Sequence, residues 1–274
     1  MRRKRGRILF AVAVILSCAV LAAGCAKRTE PGSAGENNWP KVVVGCDNYT
    51  PFNYRDVNGN LKGIDIELAR EAFGRMGYQT EFVFINWEEK KKLLSSGEID
   101  CIWSSFSMDG REEEYRWAGP YMNSRQVVAV TPESPVQTLS DLDGKIVAVQ
   151  STTKPEDMFR EREKYEQVPK FRKVISVQNR DLLYTFLSKG YVDAIAAHDT
   201  SIDQFMTDFD MKYRILPEPL LTVQLGVAFD LEDTRGLDEK LSETLKQMRQ
   251  DGTVKEIVGK YLQDADRYLG DENE

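Results

Sequence analysis

Short apolar runs alternate with amphipathic stretches along most of the chain. The run KVVVGC at 41–46 is apolar and β-branched, which is typical of a strand covered on both faces. From Asp65 onward apolar residues recur at helical spacing until Gly77, and another strand-like run follows at 81–85. This alternation of strands and helices predicts an α/β protein.

One helix–strand unit occurs twice. LSSGEIDCI at 94–102 and LSKGYVDAI at 187–195 agree at Gly, Asp and Ile, 93 positions apart. Each copy is predicted to be the end of a helix, a glycine and a buried strand. The glycine fits this prediction because the residue after a helix often needs a positive φ, which glycine adopts without steric cost. Such segments are common in α/β proteins, but the aligned match favours a true repeat. Two lobes of similar topology would face a crevice that can bind a small molecule.

The remaining pattern predicts how the lobes connect. Residues 104–124 are polar and are expected to be irregular apart from one short helix, and 145–149 opens a second strand–loop–helix series. Strand-like stretches near 124–130 and 221–228 bracket the second lobe, which would allow the lobes to close on a ligand. The predicted boundaries are 40–124 plus 224–274 for the first lobe and 125–223 for the second.

The N-terminus reads as an export signal. Residues 1–7 hold five basic residues, and residues 8–23 are apolar apart from Ser17 and Cys18. This is the pattern of a signal peptide, since the apolar run is shorter than the roughly 20 residues that a membrane span needs.

The end of that signal resembles a bacterial lipoprotein box, LAAGC at 21–25. The resemblance implies that residues 1–24 are removed, that Cys25 is lipidated, and that 25–39 form a flexible tether. The protein would then be held by lipid at the extracytoplasmic face of the cell membrane. Ordinary secretion, with cleavage near Ala23, is the alternative.

Charge and composition exclude several classes of function. Without the leader the chain has 32 basic and 44 acidic residues, a net charge of −12, which argues against a nucleic-acid partner. There is one histidine, His198, and neither zinc-ligand spacing nor a glycine-rich phosphate loop occurs, so no metal or cofactor is predicted. Cys46 and Cys101 could pair in an oxidising compartment, although two buried thiols are the simpler expectation.

Several segments, taken in order, resemble the family 3 extracellular solute-binding proteins, the amino-acid receptors of ABC importers. The resemblance covers essentially the whole chain after the leader. The matching segments are VGCDNYTPF at 44–52, NGNLKGIDIEL at 58–68, Trp87, GEID at 97–100, Arg111, GPY at 119–121, VQSTT at 149–153 and RQDGT at 249–253.

The resemblance implies an α/β, two-lobed periplasmic-binding-protein-like fold of type II, with the lobes joined by two hinge strands. It implies an α-amino acid as ligand, an ABC permease as partner, a monomer, and no enzymatic activity. Asp47 and the net negative charge lean toward a polar or basic amino acid.

The resemblance also assigns the ligand's carboxylate to Arg111, whose planar guanidinium can donate two parallel hydrogen bonds. The loop between Ser107 and Arg111 is one residue shorter than in many members, and a solvated arginine among Glu112–Glu114 is the alternative. Ser104, Ser105 and Ser107 match positions that offer hydroxyl and backbone groups to the ligand, or they cap the next turn.

Thr152 and Thr153 precede Lys154-Pro155, a helix-start signature whose N–H groups favour an anion, although a plain N-cap is equally compatible. Tyr49 and Trp87 match aromatic positions that flank the ligand, with core packing as the alternative for Trp87.

The ligand's ammonium has two candidate partners. Many members use an aspartate directly after the second repeat strand, where this chain has His198, with Asp199 one place later. A carboxylate pairs with an ammonium over a wide pH range, so Asp199 is preferred to His198. Asp47 would meet the ligand's side chain.

Two other functions fit the same fold. A dehydratase acting on a prephenate-like acid would need a positioned acid or base, and the single histidine with scattered acids offers little for one. A sensory module would be expected to carry a second membrane span or an output domain after Leu262, and the sequence has neither.

Overall fold

The computed structural model describes residues 38–270, which fold around a central mixed sheet. The strands are β1 (Lys41–Cys46), β2 (Tyr54–Arg55), β3 (Leu61–Lys62), β4 (Gln79–Phe84), β5 (Cys101–Ser107), β6 (Arg116–Val130), β7 (Ile146–Gln150), β8 (Lys173–Val177), β9 (Ala194–His198), β10 (Arg214–Ile215) and β11 (Leu221–Phe229). The helices are α1 (Ile64–Arg75), α2 (Lys90–Ser95), α3 (Lys154–Arg160), α4 (Asp181–Ser188), α5 (Asp199–Asp208), α6 (Leu237–Gln250), α7 (Thr253–Gly259) and α8 (Asp266–Leu269).

The predicted leader, Cys25 and residues 25–37 of the predicted tether lie outside the described residues. Within 38–270, no helix is both long enough and apolar enough to cross a membrane.

The sheet is parallel at its two ends and antiparallel in its middle. Its strand order is β4-β1-β5-β11-β6-β9-β7-β8, with β10 beside β6, while β2 and β3 form a separate hairpin. At one end β1 is parallel to β4 and β5, and at the other β7 is parallel to β8 and β9. In between, β11 is antiparallel to β5 and β6, and β6 is antiparallel to β9. The two parallel ends therefore have the same local topology.

The sequence repeat is a structural repeat. Gly97 and Gly190 both have positive φ, 74° and 68°, as the helix-end prediction requires. After each glycine an aspartate side chain accepts the backbone N–H of the neighbouring strand: Asp100 from Val43, and Asp193 from Ile146, both at 2.7 Å. The same residue types therefore join helix, turn and strand in both copies.

The buried apolar side chains form four clusters. Two draw on residues 42–122 and 221–269, and two on residues 127–221. The part of the fold that contains the first two clusters is called lobe 1 below, and the part that contains the other two is called lobe 2. Strand β6 contributes to clusters of both lobes, and Leu221 at the start of β11 packs against a cluster of each. The two strands thus connect the cores, while the boundaries at 124/125 and 223/224 stay a prediction.

The expectation of irregular structure at 104–124 is wrong. Strand β5 continues to Ser107, and β6 begins at Arg116. Most of β6 pairs with β11, from Arg116 opposite Phe229 to Gln126 opposite Leu221. A partner about a hundred residues away stabilises this polar stretch as a strand, and local pattern carries no information about such a partner.

Candidate functional site

A cavity lies between the lobes at the carboxyl ends of β5 and β9. About 440 Å³ between its walls is free of atoms, of which the centre of a water molecule can reach about 40 Å³. The lining residues are Tyr49, Trp87, Ser104, Ser105, Phe106, Ser107 and Arg111 from lobe 1, with Gln126, Gln150, Thr152, Thr153, Lys154, Pro155, Arg180, Leu183, Ala196, Ala197 and His198. The volume that the centre of a water molecule can reach is the one comparable with published cavities, and it is well below the roughly 300–1,000 Å³ that is usual for ligand pockets. The structure brings together eight of the ten predicted ligand-contacting residues, and the other two, Asp47 and Asp199, do not line the cavity.

The end of β5 supplies the serines. Ser104 Oγ accepts from Asp47 N at 3.0 Å and from Asn53 Nδ2 at 3.3 Å. Ser105 has φ of 43°, a conformation that side chains rarely adopt and that persists only where surrounding structure enforces it. Its Oγ is buried and has no partner among residues 38–270. This strand end therefore presents a hydroxyl and a constrained backbone to the cavity.

Asp65 holds the strand end in this shape. Its carboxylate accepts Ser105 N at 2.6 Å, Tyr121 Oη at 2.9 Å and Asn53 Nδ2 at 3.1 Å. Burial raises the pKa of Asp65 to about 6, against the effect of these donors. Asp65 lies in one of the segments that carry the family resemblance, and it positions Ser105.

Arg111 is buried, with 7% of its surface exposed. Its Nη1 donates to Ser107 O at 3.2 Å, its Nη2 forms an ion pair with Asp157 of lobe 2, and the guanidinium carbon lies 5.2 Å from the centre of the Phe106 ring. The alternative of a solvated arginine is thus wrong. A guanidinium has five N–H donors, so these two contacts leave donors for a carboxylate in the cavity.

Thr152 and Thr153 reach the cavity from lobe 2, but neither side chain caps α3. Thr152 has φ of 56°, and its N–H donates to Glu156 Oε2 at 2.6 Å. Thr153 Oγ1 donates backward to Gln150 O at 2.6 Å. The plain N-cap reading is therefore wrong for these side chains, and the N–H of Thr152 is already used within the protein.

The preference for Asp199 over His198 finds no support in the geometry. Strand β9 ends at His198, which lines the cavity, whereas Asp199 begins α5 and pairs with Arg125 at 3.0 Å and Arg267 at 3.6 Å. Its carboxylate serves these two arginines instead of the cavity.

His198 is held as a neutral ring. Its Nδ1 is 2.8 Å from Ser124 Oγ, and its Nε2 is 3.0 Å from Gln126 Nε2. Burial, assisted by the charge of Arg180, lowers the pKa of His198 to about 3. The position that matches the ammonium-binding aspartate of many members therefore carries no charge.

Asp47 and Tyr49 both contact Arg180, which the sequence analysis did not single out. Arg180 Nη2 lies 3.1 Å from Asp47 Oδ2, and its guanidinium carbon lies 3.0 Å from the centre of the Tyr49 ring. Asp47 also accepts Gln150 Nε2 at 2.8 Å. Arg180 follows β8 in a loop without sequence pattern, so only the tertiary structure places it here.

Trp87 lines the cavity and packs edge-on against Phe106, with ring centres 5.3 Å apart. Its Nε1 is buried without a partner among the described residues. Phe106 also lines the cavity and belongs to the same buried cluster as Trp87, whereas Trp103 lies in the other buried cluster of lobe 1. Beside Trp87, the buried Lys90 donates to Thr152 Oγ1 at 2.8 Å, a contact between the lobes.

Cys46 and Cys101 are buried free thiols. Burial raises the pKa of Cys46 to about 12. Among residues 38–270, no group of three or more His, Cys, Asp or Glu side chains is placed to hold a metal ion.

Comparison with known proteins gives one consistent result. The family model of the bacterial extracellular solute-binding proteins, family 3, matches residues 42–264. The histidine-binding periplasmic protein of Salmonella typhimurium is 31% identical over 241 residues, which cover 84% of this chain and 90% of that protein. An ancestral arginine-binding protein bound to arginine matches with a TM-score of 0.72 at 26% identity, covering 81% of this chain and 98% of that one. An ancestral amino acid-binding protein, a precursor of cyclohexadienyl dehydratase, matches with a TM-score of 0.70 at 26% identity, covering 81% and 95%.

Proposed function

Since the chain belongs to family 3 of the bacterial extracellular solute-binding proteins, we propose that it is the solute-binding component of an ABC importer. It holds one α-amino acid between lobe 1 and lobe 2 and delivers it to a membrane permease. The observation that carries this proposal is the cavity, whose polar lining comes from both lobes and includes the buried Arg111.

Arg111 binds the ligand's carboxylate in this proposal. Its free N–H donors would form two parallel hydrogen bonds, while the strand end at Ser104 and Ser105 and the turn at Thr152 close the site from either side. If the affinity is micromolar, binding is worth about 8 kcal/mol.

Closure would come from contacts that span the cavity. Arg111 pairs with Asp157 and Asp47 with Arg180, each pair joining the two lobes. A ligand that touches both lobes adds to these contacts, and it stabilises the closed form by the difference between its affinities for the closed and open forms. Strands β6 and β11 would serve as the hinge, and the permease would recognise the closed shape.

The proposal places the protein outside the cytoplasmic membrane. The predicted leader, lipidation of Cys25 and a tether up to residue 39 would keep a monomer close to its permease. Metabolic labelling with a palmitate analogue tests the anchor: wild type should be labelled and a Cys25→Ala variant should not. Equal labelling of both would remove Cys25 from the proposal.

An enzyme is the alternative, because one similar structure is a precursor of cyclohexadienyl dehydratase. Acid–base catalysis needs a side chain that exchanges a proton near the working pH. His198 with its pKa of about 3 is a poor candidate, and the described lining contains no carboxyl group. Binding without turnover is therefore favoured.

The test is a thermal-shift screen of the purified chain against the twenty amino acids, cystine and small polyamines, followed by calorimetry on the hits. We expect at least one amino acid to raise the melting temperature, to bind with 1:1 stoichiometry and to be recovered unchanged after incubation. No shift with any compound would contradict the proposal, and consumption of the ligand would favour the enzyme.

A further inference from the structure

The lining of the cavity is rich in cations and poor in acids. Arg111, Lys154 and Arg180 line it, and none of the described lining residues is an aspartate or a glutamate. Several carboxylates contact lining residues from outside the cavity: Asp157 and Asp47 are each paired with a lining arginine, and Asp65 and Glu156 accept the backbone N–H groups of Ser105 and Thr152. A charged group that enters the cavity therefore meets guanidinium and ammonium groups.

Arg180 covers the two features that would otherwise receive a positively charged ligand. The first is the face of the Tyr49 ring, 3.0 Å from the guanidinium carbon, since an aromatic face attracts cations. The second is the Asp47 carboxylate, 3.1 Å from Arg180 Nη2. A basic side chain would have to displace Arg180 from both, so the protein's own cation excludes it.

Two lysines add positive charge whose hydrogen-bond partners are neutral. Lys154 Nζ donates to the hydroxyl of Tyr165 at 2.9 Å. Lys90 Nζ donates to Thr152 Oγ1 at 2.8 Å and Thr152 O at 3.3 Å, and burial lowers the pKa of Lys90 to about 8. The charges of Asp157, Glu114 and Glu156 act on Lys90 without a hydrogen bond to it, and an anionic group on the ligand would add to this compensation of a buried charge.

Neutral oxygens remain for an α-ammonium. Gln126 and Gln150 line the cavity, and the Oε1 atoms of both are buried without a partner among residues 38–270. Gln150 Nε2 donates to Asp47 Oδ2 at 2.8 Å and to Gln178 O at 3.2 Å, which fixes its oxygen as the remaining acceptor. An ammonium can donate to such oxygens, but they do not attract a second cation as a carboxylate would.

We infer that the cavity takes a small ligand with two carboxylate groups, in the first instance an acidic α-amino acid, and that Arg180 sets this preference. The inference rests on the proposed function. Arg111 holds one carboxylate, Arg180 holds the second, and the glutamine oxygens accept from the ammonium. The ligand would thus differ in charge from histidine and arginine, which the names of the relatives give as their ligands. The sequence favoured an amino acid with a polar or basic side chain, and the cavity favours one with an acidic side chain.

Calorimetry of the full chain with matched ligands tests this inference. L-Glutamate and L-glutamine have nearly the same shape and differ by one charge. We expect L-glutamate or L-aspartate to bind at least tenfold more tightly than L-glutamine, L-arginine or L-histidine. Tighter binding of L-arginine or L-histidine would overturn the inference and leave the proposed function intact.

Arg180→Gln provides the second arm, with Arg172→Gln as its control. Arg172 is exposed in the same lobe, so its substitution removes the same charge away from the cavity. Arg180→Gln should weaken binding of the acidic ligand at least tenfold and strengthen that of L-arginine, whereas Arg172→Gln should change neither. Equal effects of the two variants would overturn the role of Arg180.

Glutarate has two carboxylates but no α-ammonium group, so it tests whether the ligand must be an amino acid. If glutarate binds as tightly as L-glutamate, the charge inference is supported and the proposed amino-acid ligand is contradicted. Failure of every amino acid and dicarboxylate to bind would overturn both.

Discussion

Lobe 1 and lobe 2 share one scaffold and differ in the chemistry at its end. In each lobe a glycine with positive φ ends a helix, and an aspartate accepts the backbone N–H of the adjacent strand at 2.7 Å. After this aspartate the two copies no longer have similar sequences. Strand β5 ends in Ser-Ser-Phe-Ser at 104–107, whereas β9 ends in Ala-Ala-His at 196–198. The repeat therefore encodes the framework, and the side chains that it places at the cavity lie where the repeat stops.

Each lobe also has one residue with a strained backbone at the cavity. Ser105 in lobe 1 and Thr152 in lobe 2 both have positive φ, 43° and 56°, and both line the cavity. Non-glycine residues held in this region cost about 1–3 kcal/mol each, and they cluster at ligand sites. Both walls of the cavity are therefore shaped by surrounding structure at some expense in stability.

The largest expected effect lies on the lobe 1 side. Arg111→Ala removes the carboxylate's partner in a buried site and should weaken binding by about 3–5 kcal/mol, more than a hundredfold, without unfolding the protein. Calorimetry should then detect no binding at micromolar ligand, and Arg111→Lys should recover only part of it because a lysine cannot donate bidentately.

Lys92→Ala is the matched control. It removes an exposed positive charge from the same lobe and should leave the dissociation constant unchanged. Wild-type affinity in Arg111→Ala would remove Arg111 from the site.

Much of the framework was predictable, and part of the site was not. Helical spacing and the repeated glycine and aspartate are local patterns, so the α/β class was predicted correctly from them, and the resemblance of the ordered segments predicted the family correctly. Arg111, the serines and the threonines were named from the family resemblance, and all of them line the cavity. Gln126 reaches the cavity from β6, where it pairs with His198, and Arg180 reaches it from the loop after β8. Both positions depend on tertiary structure, which local sequence patterns do not encode.

The neutral His198 gives a pH test of the lobe 2 side. Its pKa is about 3 in the folded chain and about 6.5 in an unfolded one, so the unfolded state binds more protons between these values. The free energy of unfolding therefore falls as the pH drops through this window, by roughly 2 kcal/mol between pH 6.5 and 5.

His198→Asn should remove this dependence. Urea unfolding of wild type and variant at pH 5 and 7 measures the difference. The Asp65 carboxyl, with its raised pKa, has the opposite dependence, but it is present in both proteins and cancels. Parallel pH profiles for the two proteins would contradict a neutral, buried His198.

The shared aspartates allow the two lobes to be compared directly. Asp100→Ala and Asp193→Ala each leave a strand N–H without its acceptor and should each lower the free energy of unfolding by about 1 kcal/mol. Asp100 also pairs with Arg235, so its loss should be slightly larger. Ligand affinity should be unchanged in both, and a large loss of affinity in either would show that the framework and the site are not separate.

The smallest effect concerns strain. Ser105→Gly should relieve the positive φ, while the added freedom of the unfolded chain offsets part of the gain. Thermal unfolding should show a stability increase of about 0.5 kcal/mol, with weaker ligand binding because the buried Ser105 hydroxyl is lost. A clear loss of stability would mean that Ser105 is unstrained.

The most direct test of the account is a crystal structure of the chain with the tightest ligand from the screen. The account predicts density for that ligand between the end of β5 and the turn at Thr152–Lys154, with one carboxylate on the Arg111 guanidinium. A ligand bound elsewhere, or one in the cavity that makes no contact with Arg111, would contradict it.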